Sequence, residues 1–300
     1  MKTVYWLTKR NCKLFFKDKG MFFSSLITPV ILLVLYATFL AKVYRDSFVS
    51  AIPQGLDSVL GSLIDATVAA QLISSLLAVS CVTVAFCSNL ISIQDKANGT
   101  LRDLTVTPVR RSALAVGYFS GSAIVTLMVT VTTLAVCLIY LAVVGWYMSV
   151  SDVLLLCLDV LLLTLFGTAL ASCVNFPLTT NGQASAVGTI VSAGYGFICG
   201  AYMPMSGFGE GLQRVLSFLP GTYGTCLIRN HALAGAFREM EEAGHFPPDV
   251  MDSIRKSIDC DLFFFGHAVK LPVMYGILVG STLLLIGIYI LLNVPGRAKK

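Results

Sequence analysis

Six long apolar stretches, separated by shorter polar segments, dominate the pattern of side chains along the chain. Each is about 20 residues or longer, the length that a helix needs to cross bilayer hydrocarbon of about 30 Å. Apolar residues run continuously within them and do not alternate with period two, which favours helices over barrel strands. The pattern therefore predicts an all-α polytopic membrane protein with six spans, at residues 22–41, 67–93, 113–145, 153–173, 184–204 and 271–293.

A basic stretch, residues 1–20, precedes the first span. Its apolar side chains are interleaved with Lys9, Arg10, Lys13 and Lys17. This mixture suits an amphipathic helix lying in the membrane interface, and a merely basic flank to the first span explains it equally well. The stretch carries too many charges to be the apolar core of a cleavable signal peptide.

The segment between the fifth and sixth spans, residues 205–270, is long and rich in charge. Its periodicity predicts a short amphipathic helix that stops near Pro220 and a second helix from Tyr223 to Glu242. A third helix is predicted in PPDVMDSIRKSI, with proline in the first turn, where a missing N–H costs little. The segment is too structured to be a linker.

Composition and charge place the chain in a membrane and orient it. It is 56% hydrophobic and 12% charged, whereas a soluble domain carries about 25% charged residues. Residues 1–21, 94–112 and 294–300 hold 13 Lys or Arg against 3 Asp or Glu, and the rest holds 8 against 13. By the positive-inside bias, both termini and the 94–112 loop face the cytoplasm. The net charge of +5 is then a topology signal, and no nucleic-acid partner follows from it.

Familiar enzyme and metal motifs are missing from the sequence. It has no Walker phosphate loop, HExxH helix, nucleophile elbow or CxxC pair, so an enzyme acting alone is not predicted. Three outer histidines, His231, His245 and His267, match no familiar metal-ligand spacing, so no metal site is predicted. Of nine cysteines, only Cys226 and Cys260 fall on the predicted outer side, where a disulfide is open to them.

Asp159 is the one acid well inside a predicted span. A carboxylate within the membrane is costly and normally faces a cavity or a partner. Lining a transport path and pairing with another helix are equally consistent with its position. The first reading supports a rival function, an ion-coupled secondary transporter or channel, and a third possibility is a non-transporting membrane scaffold or sensor.

The loop at residues 94–112, QDKANGTLRDLTVTPVRRS, is more elaborate than a simple connection between spans. Asn98-Gly99 breaks the helix that enters from the second span, and Pro108 opposes continuation and biases Thr107 out of the helical region. TLRDLTV between them predicts a two-turn helix with Thr100 as its N-cap. Such a helix offers leucines and Val106 beside charged side chains, which indicates a surface built for contact.

Two motifs in the chain are similar to those of a known family. The first is DKANGTLRDLTVTPVRR, an acidic-basic run followed by Gly-Thr-Leu, an apolar pair and Thr-Pro. The second is CGAYMPMSGFGEGLQRVLSFLPGTYGTCLIR, a Gly–Pro exit, an amphipathic turn and a Pro-x-Thr-Tyr…Leu-x-Arg signature. Together they resemble the type-2 ABC exporter permeases, the membrane subunits of ATP-driven exporters, and the similarity covers nearly the whole chain.

The resemblance implies roles for both motifs. In the family, the Gly-Thr-Leu segment is the coupling helix, which sits in a groove of a separate ATPase subunit that the N-terminal helix also contacts. The stretch after the fifth span forms short re-entrant helices near the outer exit. The docking residues carried over are Asp95, Gly99, Thr100, Leu101, Arg102, Asp103, Leu104 and Pro108. The outer-exit residues carried over are Gly200, Pro204, Leu212, Pro220, Thr222, Tyr223 and Arg229.

The sequence departs from the family pattern beside the glycine. The position two before Gly99, where the family carries an acid, is Ala97, so that Asp95 is the nearest upstream acid. An acid commonly follows the leucine, whereas here Arg102 comes first and Asp103 second. These departures affect which salt bridges would reach the ATPase.

By the same resemblance, the whole chain is one permease domain of an exporter. A second permease subunit, identical or related, would complete the translocation path. The chain would bind no cofactor, and ATP and Mg²⁺ would bind to the ATPase. Its location would be a bacterial or archaeal cell membrane. Family members move drugs, lipids, glycans and peptides, and the residues do not select among them.

Overall fold

Helices make up almost all of the described chain. A computed structural model describes residues 2–43, 45–46, 61–107, 109–198, 200, 207–242 and 248–293. The helices are α1 Lys2–Lys17, α2 Lys19–Leu35, α3 Gly61–Ala97, α4 Thr100–Val106, α5 Arg111–Val144, α6 Val150–Asn175, α7 Asn181–Ile198, α8 Glu210–Leu216, α9 Pro220–Glu242, α10 Pro248–Ser257 and α11 Leu271–Asn293. A π-helical turn, Tyr36–Leu40, extends α2, and the strands β1 Phe263–Phe264 and β2 His267–Ala268 pair antiparallel.

The predicted all-α membrane protein is confirmed, and the described residues of the predicted spans are almost all helical, but the count of six spans is not confirmed. Four helices, α3, α5, α6 and α11, are long and apolar enough to cross a bilayer. The number becomes five if α1 and α2, which meet at 75°, form one broken span. Helix α7 falls short because it is rich in glycine, serine and threonine. Residues 199 and 201–204, at the end of the span predicted at 184–204, lie outside the described residues.

The predicted N-terminal helix is present as α1, and it is attached to the bundle. Asp18 separates α1 from α2. It is the N-cap of α2, because the Asp18 carboxylate accepts a hydrogen bond from the Met21 N–H at 3.1 Å. Two glycines of α5 let α1 approach closely, because a Cβ at Gly117 would lie 2.4 Å from Leu7 and one at Gly121 2.8 Å from Asn11. The small residues of α5 therefore create the seat of α1.

Helix α3 is the central element of the bundle. It packs against α2, α5, α6, α7 and α9 and is buried along most of its length. At Gly167 of α6 the two backbones approach so closely that a Cβ would lie 2.9 Å from the carbonyl oxygen of Cys81. Helix α3 therefore contacts most of the other helices of the bundle.

The region between α7 and α11 holds the three helices that its periodicity predicts. Helix α8 ends at Leu216, before Pro220, and α10 begins at Pro248. Helix α9 has 23 residues, longer than the short helices that the family resemblance implies, and is buried along most of its length. It packs against α3, α6 and α11, so this part of the segment belongs to the core of the bundle.

Candidate functional site

The predicted two-turn helix TLRDLTV is present as α4, with the expected bounds. Gly99 adopts a left-handed φ of 79°, which favours glycine, and turns the chain between α3 and α4. The expectation that Thr100 is the N-cap is wrong by one residue, because Gly99 occupies that position. Its carbonyl accepts hydrogen bonds from the N–H groups of Arg102 at 2.9 Å and Asp103 at 3.2 Å. Helix α4 ends before Thr107, which is extended, and Pro108 lies outside the described residues.

Helix α4 lies on the surface, and none of its seven residues is fully buried. Leu101 and Leu104 face inward, half-buried, and pack against the apolar cluster that joins α1, α3 and α5. Val106 is 83% exposed. The outward surface of α4 consists of the exposed residues Arg102, Asp103, Thr105 and Val106.

Asp95 is buried beneath α4 and does not reach that surface. Arg10 of α1 donates two hydrogen bonds to its carboxylate, from Nη1 at 2.7 Å and from Nη2 at 2.9 Å. The Tyr118 hydroxyl of α5 donates a third at 2.6 Å. Arg10, Asp95 and Tyr118, here called the Asp95 cluster, therefore join α1, α3 and α5 next to α4. Sequence reasoning placed Asp95 among the docking residues and missed its two partners.

Lys96, the next residue, ties α3 to the turn between α6 and α7. Its Nζ donates to the carbonyl oxygens of Phe176 at 2.6 Å, Leu178 at 3.2 Å and Asn175 at 3.4 Å. These carbonyls lie at or just beyond the C-terminal end of α6, where the helix dipole favours a cation. The end of α3 is thus joined by charged groups to α1, α5 and α6.

A cavity of about 410 Å³ opens beside α4. It lies between α4 and the ends of α5, α6 and α11. Its lining includes Lys96, Leu101, Thr105, Arg111, Phe176 and Tyr289.

The outer-exit residues hold α8 and α9 together. In the first turn of α9, Thr222 donates to the Leu216 carbonyl at 3.0 Å and Tyr223 to the Ser217 carbonyl at 2.6 Å. Pro220 opens α9. The other members of this set are placed less uniformly: Leu212 is exposed on α8, Gly200 has a left-handed φ of 68°, and Pro204 lies outside the described residues.

Arg229 is the largest of the fully buried side chains, with 1% of its surface exposed. Its Nη2 donates to the Gly200 carbonyl at 3.1 Å. Its Nη1 lies 3.4 Å from the Asp259 carbonyl and 3.5 Å from the Asp259 carboxylate. This side chain therefore braces α9 against the end of α7 and the segment after α10.

Asp159 is fully buried, and both of its carboxylate oxygens have partners. Oδ2 lies 2.5 Å from Nδ1 of His231, and Oδ1 accepts a hydrogen bond from the Tyr275 hydroxyl at 2.5 Å. The three residues come from α6, α9 and α11. Of the two interpretations open from the sequence, this geometry favours pairing between helices over the lining of a transport path.

Cys226 and Cys260 are free thiols, side by side in the core. The Cys226 Sγ donates to the Cys260 carbonyl at 3.0 Å, and burial raises the pKa of Cys260 to about 12. Within the described ranges, no group of three His, Cys, Asp or Glu side chains is placed to hold a metal ion, and His245 lies outside those ranges.

Comparison with known proteins adds one finding to this geometry. The family model described as ABC-2 type transporter matches residues 2–231, well over half of the chain. The match includes α4, the Asp95 cluster and the first part of α9. No curated protein matches the chain.

Proposed function

Because the chain belongs to the ABC-2 type transporter family and is a permease subunit of that transporter class, we propose that it is the transmembrane subunit of an exporter. Separate ATPase subunits dock on α4 and bind the ATP and Mg²⁺ that drive transport. A second permease subunit completes the translocation path. Six spans, with both termini and α4 in the cytoplasm, agree with the distribution of positive charge. The resemblance to exporter permeases suggests the membrane of a bacterial or archaeal cell.

The observation that carries this proposal is the exposure of α4 together with its attachment to the bundle. Its outward residues are free to meet a partner, while Leu101 and Leu104 hold it against the bundle. Gly99 sets its angle to α3. A movement of α4 is therefore passed directly to α3. From α3 it reaches α1 and α5 through the Asp95 cluster, and α6 through the hydrogen bonds of Lys96.

Transport requires that the ATPase contacts of α4 differ between the nucleotide states of the ATPase. Only differential binding can shift a conformational equilibrium, so a contact of equal strength in both states would transmit nothing. The attachments around α4 favour a rigid-body or hinge response of α1, α3, α5 and α6 over a local movement of α4. Asp95 then acts indirectly, by holding the helices that α4 moves.

The location of the path is supported by α7. Of its 18 residues only Ala184, Tyr195 and Gly196 are buried, and its exposed side carries Asn181, Gln183, Ser185 and Thr189. Polar side chains of this kind are costly against lipid and are normally found facing another helix or water. The exposed side of α7 is therefore proposed to face the second subunit and the path.

A cavity of about 530 Å³ between α2, α3 and α7 lies on the same side of α7. Serine and threonine are prominent in its lining, which includes Ser24, Ser185, Thr189 and Ser192. Its mixed polar and apolar walls suit an amphiphilic substrate. This feature supports a path along α7 and leaves Asp159, buried elsewhere, outside it.

The proposal is tested by adding negative charge to the outward surface of α4. The full chain is co-expressed with its ATPase subunit, purified by a tag on the permease, and assayed for accompanying ATP hydrolysis. Arg102→Glu and Val106→Asp should each remove most of the co-purified activity while membrane insertion is unchanged. The matched control is Glu241→Lys, an exposed charge reversal near the end of α9, which should leave the activity as in the native chain. Full activity in both α4 variants would remove α4 as the docking site.

A further inference from the structure

A small hairpin with an exposed aromatic surface precedes α11. Phe263 and Phe264 of β1 pair with Ala268 and His267 of β2. The ring of Phe218, just after α8, lies 5.3 Å from that of Phe264 and 6.0 Å from that of Phe265. Phe264 and Phe265 are 4.9 Å apart in an edge-to-face arrangement. These three phenylalanines, 218, 264 and 265, are called the aromatic patch.

The aromatic patch is exposed to an extent that a soluble surface rarely shows. Phe218 is 61% exposed and Phe265 is 59% exposed. On α8, Leu212 and Val215 are also exposed, three residues apart and therefore on one side of the helix. Contiguous apolar surface of this kind marks contact with a membrane or a partner.

The turn of the hairpin holds an aromatic side chain at a position that does not favour one. Phe265 and Gly266 both have left-handed φ, 48° and 84°, as the two central residues of a type I′ turn do. Asn, Asp and Gly are preferred there, and a bulky residue at positive φ is an outlier. The chain thus places a phenylalanine at the tip of the hairpin against the local preference of the backbone, which points to a use for the ring.

The position of the aromatic patch relative to the bilayer follows from α11. At 1.5 Å per residue its 23 residues extend about 35 Å, slightly more than the hydrocarbon thickness of about 30 Å. Leu271 therefore lies at one membrane surface. The hairpin tip is about three paired residues from the base of the hairpin, or about 10 Å at 3.3 Å per residue. The rings lie within or next to the headgroup layer of that leaflet.

The charges around the aromatic patch also match a phospholipid surface. The Lys256 Nζ lies 5.7 Å from the centre of the ring of Phe263, the residue before Phe264 in β1, and Lys270 is exposed at the start of α11. The nearby acid Asp261 is paired with Arg255 at 3.2 Å. Cations beside exposed aromatic rings are typical of segments that lie in a membrane interface.

We propose that the aromatic patch inserts its rings into the headgroup layer of the leaflet at which α11 begins, and that it anchors α8 and the hairpin to the lipid surface. This inference goes beyond the export function. It depends only on α11 crossing the membrane, and holds for either orientation of the chain.

The test places a single tryptophan in the full chain after both native tryptophans, Trp6 and Trp146, are replaced by phenylalanine. Phe265→Trp is reconstituted in phosphatidylcholine vesicles, with and without phosphatidylglycerol, that contain lipids carrying a nitroxide quencher near the headgroup. The matched control is Asp252→Trp on α10, which is exposed and carries no aromatic neighbour in the patch. A second probe, Phe218→Trp, guards against a local disturbance of the hairpin turn.

The indole fluorescence of the Phe265→Trp and Phe218→Trp variants should be quenched by the lipid nitroxide at least about twofold more than that of Asp252→Trp, and be less accessible to aqueous iodide. Stronger quenching with phosphatidylglycerol would support a contribution from Lys256 and Lys270. The proposal is overturned if the Phe265→Trp probe is open to iodide and insensitive to the lipid quencher, which would leave the patch in water. It is equally overturned if this probe is shielded from both quenchers, because a second copy or another protein would then cover the patch.

Discussion

The α4 end of the bundle and the α9 region carry the two sequence signatures of the family, yet the structure uses the signatures in opposite ways. On α4 the charged residues Arg102 and Asp103 point outward. On α9 the charged residue of the second signature, Arg229, is buried and donates hydrogen bonds to the backbone oxygens of Gly200 and Asp259. A motif therefore does not reveal by itself whether its residues meet a partner or brace the fold. Burial distinguishes residues that meet a partner from residues that brace the fold. The comparison therefore predicts which substitutions destabilise the protein and which only weaken its binding to the ATPase subunit.

The largest effect on stability is expected at Arg229. Arg229→Met removes the hydrogen bonds to Gly200 and Asp259 and leaves their buried oxygens without those donors. A loss of about 3 kcal/mol in the free energy of unfolding is expected. Denaturant titration of the purified chain in detergent measures it. Arg214→Met is the control, because Arg214 is exposed in an ion pair with Glu210, where about 0.5 kcal/mol or less is expected. Equal stability of the two variants would contradict a bracing role for Arg229.

The Asp95 cluster should show a smaller loss. Asp95→Ala removes three hydrogen bonds but leaves an arginine that is partly exposed, so about 2 kcal/mol is expected. Tyr118→Phe removes one of the three and should cost about 1 kcal/mol. Hydrogen exchange of α1 should rise in both variants, more in the first. If α1 stays as protected in Asp95→Ala as in the native chain, the cluster does not hold it.

Leu101 lies between the two extremes, because it belongs to α4 but faces inward. Leu101→Ala removes a half-buried side chain from the cluster beneath α4, at an expected cost of about 1 kcal/mol. Val106→Ala on the same helix should change stability by less than about 0.5 kcal/mol, since that side chain is exposed. Denaturant midpoints of the pair provide the comparison. A larger loss for Val106→Ala would mean that the inward and outward faces of α4 are assigned the wrong way round.

Local signals predicted much of this fold. Gly99 and Pro108 bracket α4, and the structure places the helix between the same two residues that the sequence indicates. The long apolar run predicted to begin at residue 271 gives α11 its observed start at Leu271. Helix α7 was predicted as part of the span at 184–204, but it begins three residues earlier, because Asn181 and Gln183 lack the hydropathy by which the edge of a span is recognised.

The partners of the candidate site were harder to predict. Arg10 and Asp95 are 85 residues apart, and nothing local connects them. An acid at the end of an apolar span, close to the predicted interfacial helix, was the available signal, because a buried carboxylate requires a partner. A two-turn helix is also too short for periodicity to show which of its sides faces inward. Leu101 and Leu104 consequently looked as available to a partner as Val106.

Site-specific photo-cross-linking tests the central claim, that the outward surface of α4 docks on an ATPase subunit, most directly. A benzophenone amino acid is placed at position 101, 102, 106 or 241 of the full chain, and the complex is irradiated in native membranes. Positions 102 and 106 should form an adduct with a protein that carries a phosphate-binding loop, identified by mass spectrometry, whereas the inward position 101 and the distant position 241 should not. Adducts with such a protein from position 241 and none from 102 or 106 would contradict the account.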